Sequence, residues 1–124
     1  MRQTAKVLST ATTVAALLGS IAFSVPVITH AADDATVAEG KKIAFNRKKG
    51  NCLACHQIEG GSLAGNIGPP LVAMKDRYPD KEKLKAQIWD ARKNNPNTII
   101  PPFGPHEIIS KGEIDKVVEF IYTL

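Results

Sequence analysis

The sequence predicts a small all-α domain, and three observations carry that prediction. Apolar residues recur with the helical period in three stretches beyond residue 35, while no run alternates with a period of two for long enough to make a sheet. Between those stretches lie segments crowded with Gly and Pro, which cannot continue a helix. The 124 residues show no internal repeat and no sign of a second module. Three or more short helices joined by stiff loops is the expected architecture.

The first quarter of the chain reads as a targeting segment. Arg2 and Lys6 form a short basic stretch, and residues 7–28 then carry no charge. Small residues at Thr29 and Ala31 suit cleavage after Ala31 or one residue later, just before the acidic start Asp33–Asp34. Residues 1–32 are therefore expected to be a cleaved signal peptide, with 33–124 as the domain. A retained membrane anchor is the competing reading, since the uncharged run is long enough to span a bilayer. Pro26, Gly19 and the Ser/Thr content of this run favour cleavage. Losing Arg2 and Lys6 lowers the formal charge of +4 to about +2. The sequence pI of 9.2 is thus no nucleic-acid signal, and no nucleic-acid partner is expected.

Residues 36–47 suit a helix that buries Val37, Ile43, Ala44 and Phe45. Gly40 inside it costs stability unless a neighbouring backbone must approach closely there. The basic run Arg47-Lys48-Lys49 then ends at Gly50. Residues 60–70 (GGSLAGNIGPP) must be loop. Asp80 can cap a helix over 81–93 with Leu84, Ile88 and Ala91 as its apolar stripe. Residues 94–109 hold four of the eight prolines and break that helix. Ser110 with Glu113 forms a capping box for a last helix, whose apolar positions are Ile114, Val117, Val118 and Ile121.

The chemistry is concentrated in residues 52–56, Cys-Leu-Ala-Cys-His, which hold the only two cysteines. On a helical turn Cys52, Cys55 and His56 project from one face. Two thiols so placed can form thioethers with the vinyl groups of haem while the imidazole reaches the iron, which is the c-type attachment pattern. A zinc site would need four ligands, and the candidates stop at Cys52, Cys55, His56 and His106, with His56 awkwardly adjacent to Cys55. A thioredoxin-like pair would need a βαβ context that is absent. The expected cofactor is one covalent haem c, held by Cys52 and Cys55 with His56 as the proximal axial ligand. Such haem is attached outside the cytoplasm in bacteria, which agrees with an exported, periplasmic protein.

Gly68-Pro69-Pro70-Leu71 resembles the proximal turn of class I cytochromes c. That resemblance implies that the Pro69 carbonyl accepts the Nδ1–H of His56 and orients the ring. Met74, three residues on, is expected to fill the core rather than bind iron. Class I cytochromes usually take a distal methionine from a stiff loop before the last helix, and here that loop carries Ile100. Isoleucine has no lone pair. Three outcomes stay open: a vacant distal site under an apolar lid, His106 as a distal axial ligand, or recruitment of Met74. Arg47–Lys49 either ring an exposed haem edge or form a solvated helix end. Trp89 is expected to be a half-buried core anchor rather than a propionate donor.

Several segments together resemble the SoxX subunit of the SoxAX cytochromes of bacterial thiosulfate oxidation. They are RKKGNCLACH (47–56), GPPLVAMKDRYPD (68–80), LKAQIWDARKNNPNT (84–98), PPFGPHEI (101–108) and IDKVVEFIYTL (114–124). Ile100 departs from that family's methionine position. The resemblance implies a cytochrome c-like domain wrapped around one covalent haem, paired with a SoxA-type cytochrome subunit as a heterodimer. The complex would join thiosulfate to a cysteine of a SoxYZ-type carrier protein, an L-cysteine S-thiosulfotransferase reaction, and pass electrons to a small soluble cytochrome c. This chain would be the electron-transfer subunit and supply no catalytic residue, because both cysteines are consumed as thioethers. The alternatives are a free-standing periplasmic electron carrier and a five-coordinate haem sensor or gas-binding protein.

Overall fold

The computed structural model describes residues 33–124, so the signal peptide expected at 1–32 lies outside the described residues. Four α-helices follow in order, α1 (Asp34–Phe45), α2 (Met74–Arg77), α3 (Lys81–Trp89) and α4 (Lys111–Ile121), with 3-10 turns at Cys52–Ala54 and Ala91–Lys93. No strand occurs among the described residues, and the all-α expectation holds.

Helix α1 begins two residues earlier than the sequence suggests, because Asp33 caps it by accepting the Thr36 N–H at 2.6 Å. It stops at Phe45 where Asn46 turns the chain: its side chain accepts from Lys48 N–H at 2.8 Å and its carbonyl from Asn51 N–H at 3.0 Å. Ala44 is fully buried, and Val37, Ile43 and Phe45 pack beside it against the core. Gly40 is buried where α1 crosses α4. A Cβ at this position would overlap the backbone carbonyl of Lys116, so the glycine permits the close approach that its sequence position implied. Below the crossing, the Phe45 and Phe120 rings meet edge to face, 5.7 Å apart at 86°.

Helix α4 carries the capping box expected at its start, Ser110 N–H donating to Glu113 Oε2 at 2.9 Å and Glu113 N–H to Ser110 Oγ at 3.2 Å. Ile114, Val117, Val118 and Ile121 are buried as the period predicts, and Phe120 joins them. The remaining face of α4 is tied to its neighbours by ion pairs. Glu113 pairs with Lys49 and Lys116 with Glu39; Asp115 meets Lys85 at 2.5 Å and Glu119 meets Lys81 at 2.8 Å. Partly exposed pairs of this kind add little stability each, but together they orient α1, α3 and the loop before the cysteine motif around one helix.

Two further elements differ from the sequence reading. The helix expected over 81–93 ends at Trp89, because Asp90 leaves helical geometry at φ −154° and ψ 90°. Its carboxylate accepts from Arg92 Nε at 2.7 Å and Nη2 at 3.0 Å, which starts a separate 3-10 turn. Ala91 is still buried, so the apolar stripe survives the break. Helix α2 was not foreseen. It follows Ala73, a left-handed residue at φ 49°, and is pinned by Met74 N–H donating to the Leu124 carbonyl at 2.9 Å.

Candidate haem site

The cysteine motif lies on a tight turn rather than a full helix. Asn51 is left-handed at φ 48°, and the carbonyl of Cys52 then accepts from both Cys55 N–H at 3.2 Å and His56 N–H at 3.0 Å. This turn brings Cys52, Cys55 and His56 to the wall of one cavity of about 700 Å³. The volume falls within the roughly 300–1,000 Å³ of ligand and cofactor pockets. Both cysteines are half-buried, and they are not bonded to each other. Before haem is attached, burial pushes the Cys52 thiol up to about 11.

The His56 ring is held from two directions. Its Nδ1 lies 2.7 Å from the Pro69 carbonyl oxygen. A carbonyl can only accept, so Nδ1 carries the proton and Nε2 keeps its lone pair for a metal. Gly68 lies flat against the same ring, where a Cβ would overlap it. The loop bearing these residues is stitched to the motif turn by Gly65 N–H to Leu53 O at 2.8 Å, Gly68 N–H to Cys55 O at 2.8 Å and Leu71 N–H to Gln57 O at 2.9 Å. Arg77 adds a further tie through Nη1 to the Pro70 carbonyl at 2.9 Å. Gly68 and Arg77 were missed in the sequence. A glycine directly before a proline pair was the signal for the first, whereas nothing local marked the second.

The rest of the wall is largely apolar. Leu84 and Ile88 come from α3, Val117 and Ile121 from α4, and Ile100 and Phe103 from the loop between them. Arg47, Lys48 and Lys49 also line the cavity, and Lys49 is engaged with Glu113. Ile67 and Ile99 line it as well, yet are 67% and 70% exposed, so apolar side chains reach solvent at its mouth. Two thiols, an imidazole with a free Nε2 and an apolar chamber of this volume fit a haem bound through Cys52, Cys55 and His56. Bound there, haem c supplies a one-electron iron couple.

The other residues singled out in the sequence are placed as follows. His106 is exposed, is not on the cavity wall, and donates its backbone N–H to Pro102 O at 3.1 Å. That placement gives no support to distal ligation by His106. Met74 is buried and lines the cavity, with its Sδ 3.4 Å from Arg77 Nη1. Trp89 is half-buried, stacks against Gly104 and is absent from the cavity wall.

A helical domain that gathers a C-x-x-C-H turn, a carbonyl-oriented histidine and an apolar chamber is built as a c-type cytochrome. Comparison with known proteins agrees: the chain belongs to the cytochrome c family, whose model matches residues 37–124. It is also similar to an uncharacterized lipoprotein of Aquifex aeolicus (strain VF5), 32% identical over 76 residues. The aligned part is 60% of this chain and 37% of that protein, so the chain spans little more than a third of its relative's length. Membership of the family makes covalently attached haem c the cofactor and electron transfer the role.

Proposed function

We propose that this chain is the haem c electron-transfer subunit of an exported thiosulfate-oxidising complex of the SoxAX kind. The observation that carries the electron-transfer role is the Cys52–Cys55–His56–Pro69 constellation around an apolar chamber that opens at Ile67 and Ile99. In this reading Cys52 and Cys55 tether the haem, the Pro69 carbonyl fixes the orientation of His56 and raises its basicity, and the aliphatic wall excludes water. Electrons enter and leave through the mouth, where apolar contact and the basic run Arg47–Lys49 suit a partner with an acidic rim. No thiol remains for sulfur chemistry, so the cysteine that carries sulfur belongs to a SoxYZ-type protein, and bond formation to a SoxA-type subunit. The segments that support pairing with such a subunit are LKAQIWDARKNNPNT and PPFGPHEI, in the α3 region and the loop after it. The lipoprotein name of the Aquifex aeolicus relative supports export, and we place the chain in the periplasm.

Affinity purification of the full chain from its native host tests the assignment. A larger haem protein should co-purify in equal amount, and thiosulfate with a SoxYZ-type carrier should reduce the haem of the complex but not of the isolated chain. A chain that purifies alone, and is reduced only by other small cytochromes, is a free-standing carrier instead.

A further inference from the structure

The cavity wall falls into two parts. One is the motif turn with residues 67–71, which carries His56. The other comes from α3, α4 and the segment 95–103. That second part contributes Asn95, Asn97, Thr98, Ile99, Ile100, Pro101 and Phe103 but no charged side chain, imidazole or thioether. The remaining thioether on the wall, Met74, is bound to the first part. Arg77 Nη1 reaches both Met74 Sδ, at 3.4 Å, and the Pro70 carbonyl, at 2.9 Å, and Pro70 adjoins the Pro69 carbonyl that holds His56. Met74 is therefore tied to the part of the wall that holds His56 rather than to the part that faces it.

Three acceptor oxygens of the second part are engaged locally. Thr98 Oγ1 accepts from Ile100 N–H at 3.2 Å, Asn95 Oδ1 from Asn97 N–H at 3.0 Å and Gln87 Oε1 from Asn94 Nδ2 at 2.7 Å. Ile100 itself packs against the core cluster.

We propose that the iron position opposite His56 has no protein ligand and is roofed by Ile100, so that the haem-loaded protein binds a small uncharged π-acceptor such as carbon monoxide or nitric oxide there. An aliphatic roof favours a neutral ligand because it offers a charged one no compensating partner. The inference rests on covalent haem at Cys52 and Cys55, and on His56 as its proximal ligand. It does not depend on the SoxAX partnership.

The probe is carbon monoxide, titrated into the reduced, full-length, haem-loaded protein at neutral pH and followed by absorption. Haem content is measured first on the same sample by the alkaline pyridine spectrum. The unmodified protein should bind one carbon monoxide per haem, and its ferric form should give a high-spin electron paramagnetic resonance signal. Ile100→Met should weaken carbon monoxide binding by roughly 100-fold or more, since apparent affinity falls with the fraction of molecules whose site is open. The same variant should gain a thioether-to-iron charge-transfer band in the ferric state. A low-spin ferric protein whose reduced spectrum ignores carbon monoxide overturns the proposal. Loss of that low-spin signal in His106→Ala, or in Met74→Leu, would then identify the ligand. Protein without covalent haem overturns both this inference and the electron-transfer role, whereas a haem protein inert to carbon monoxide overturns this inference alone.

Discussion

At the His56 ring, a backbone carbonyl and a missing side chain do the work. Pro69 offers its oxygen at 2.7 Å, a contact that no substitution at Pro69 itself removes, so Gly68 is the position through which the ring can be tested. A methyl group added there would overlap the imidazole, and the loop cannot retreat without breaking the Gly68–Cys55 and Leu71–Gln57 hydrogen bonds. Gly68→Ala should therefore cost about 1–3 kcal/mol, the usual range for overpacking, and should shift the reduction potential as His56 turns from its acceptor. Urea unfolding and a redox titration of the haem-loaded variant check the two effects; an unchanged potential would show that Gly68 does not position the ring. Glu113 is the second informative residue. The Lys49 ammonium and the Ser110 N–H hold its carboxyl down at about 2. A depressed carboxyl contributes stability above its ordinary value of 4.5, and that contribution fades as pH falls from about 5 toward 2. Lys49 is about half exposed, so screening limits the gain, and Glu113→Gln should cost only about 1 kcal/mol at pH 7. The difference between variant and parent should close near pH 2 in a series of denaturant titrations. A gap that persists there would mean that Glu113 acts through packing rather than charge.

Among the elements, α4 was the most legible in the sequence, because local chemistry marks its start and the helical period marks its buried face. Ser110 and Glu113 announce its start, and the period of Ile114, Val117, Val118 and Ile121 announces the buried face; Asp33 as the cap of α1 was not read, and that helix was expected only from residue 36. Gly40 announced the crossing, and it supports a sharp expectation. Alanine is better than glycine inside a helix by about 1 kcal/mol, so Gly40→Ala would stabilise an isolated α1. Here the new Cβ meets the Lys116 carbonyl, which is backbone and cannot swing aside. The variant should instead lose about 1–3 kcal/mol, read as a lower thermal midpoint of the haem-loaded protein; a raised midpoint would show that the two helices can separate freely. What the sequence hid has physical causes of the same kind. Asp90 looks like one more helical residue until Arg92 claims its carboxylate two positions on. Helix α2 is a single turn stabilised by the distant Leu124 carbonyl, and no local pattern encodes a contact across fifty residues. The candidate site divides likewise: Cys52, Cys55 and His56 are neighbours in sequence and readable as such, and Pro69 was readable only by likeness to a known turn. The part played by Arg77 depends on how the chain returns.

For the molecule as a whole, the cavity is the controlling feature, because its wall is also the core. Leu71, Met74, Leu84, Phe103, Ile109, Val117 and Ile121 belong both to the buried cluster and to the lining. An apolar chamber of about 700 Å³ that opens to solvent would, without haem, either collapse or fill with water. Either response dismantles the packing that holds α3 and α4 in place. The chain without haem should therefore not retain this fold. Helix α1 against α4 is the contact best able to persist, since Gly40, Phe45 and Phe120 meet away from the chamber. A Cys52→Ala, Cys55→Ala protein, matured without attached haem, should lose at least half of its far-ultraviolet helical signal and melt without a sharp transition. The haem-loaded parent should unfold cooperatively. Adding free haem to the double variant should recover part of the helix through His56, and His56→Ala in the same background should abolish that recovery. A haem-free chain with full helical content and a cooperative melt would mean that the apolar wall can close on itself, and that haem is a passenger in the fold rather than part of its core.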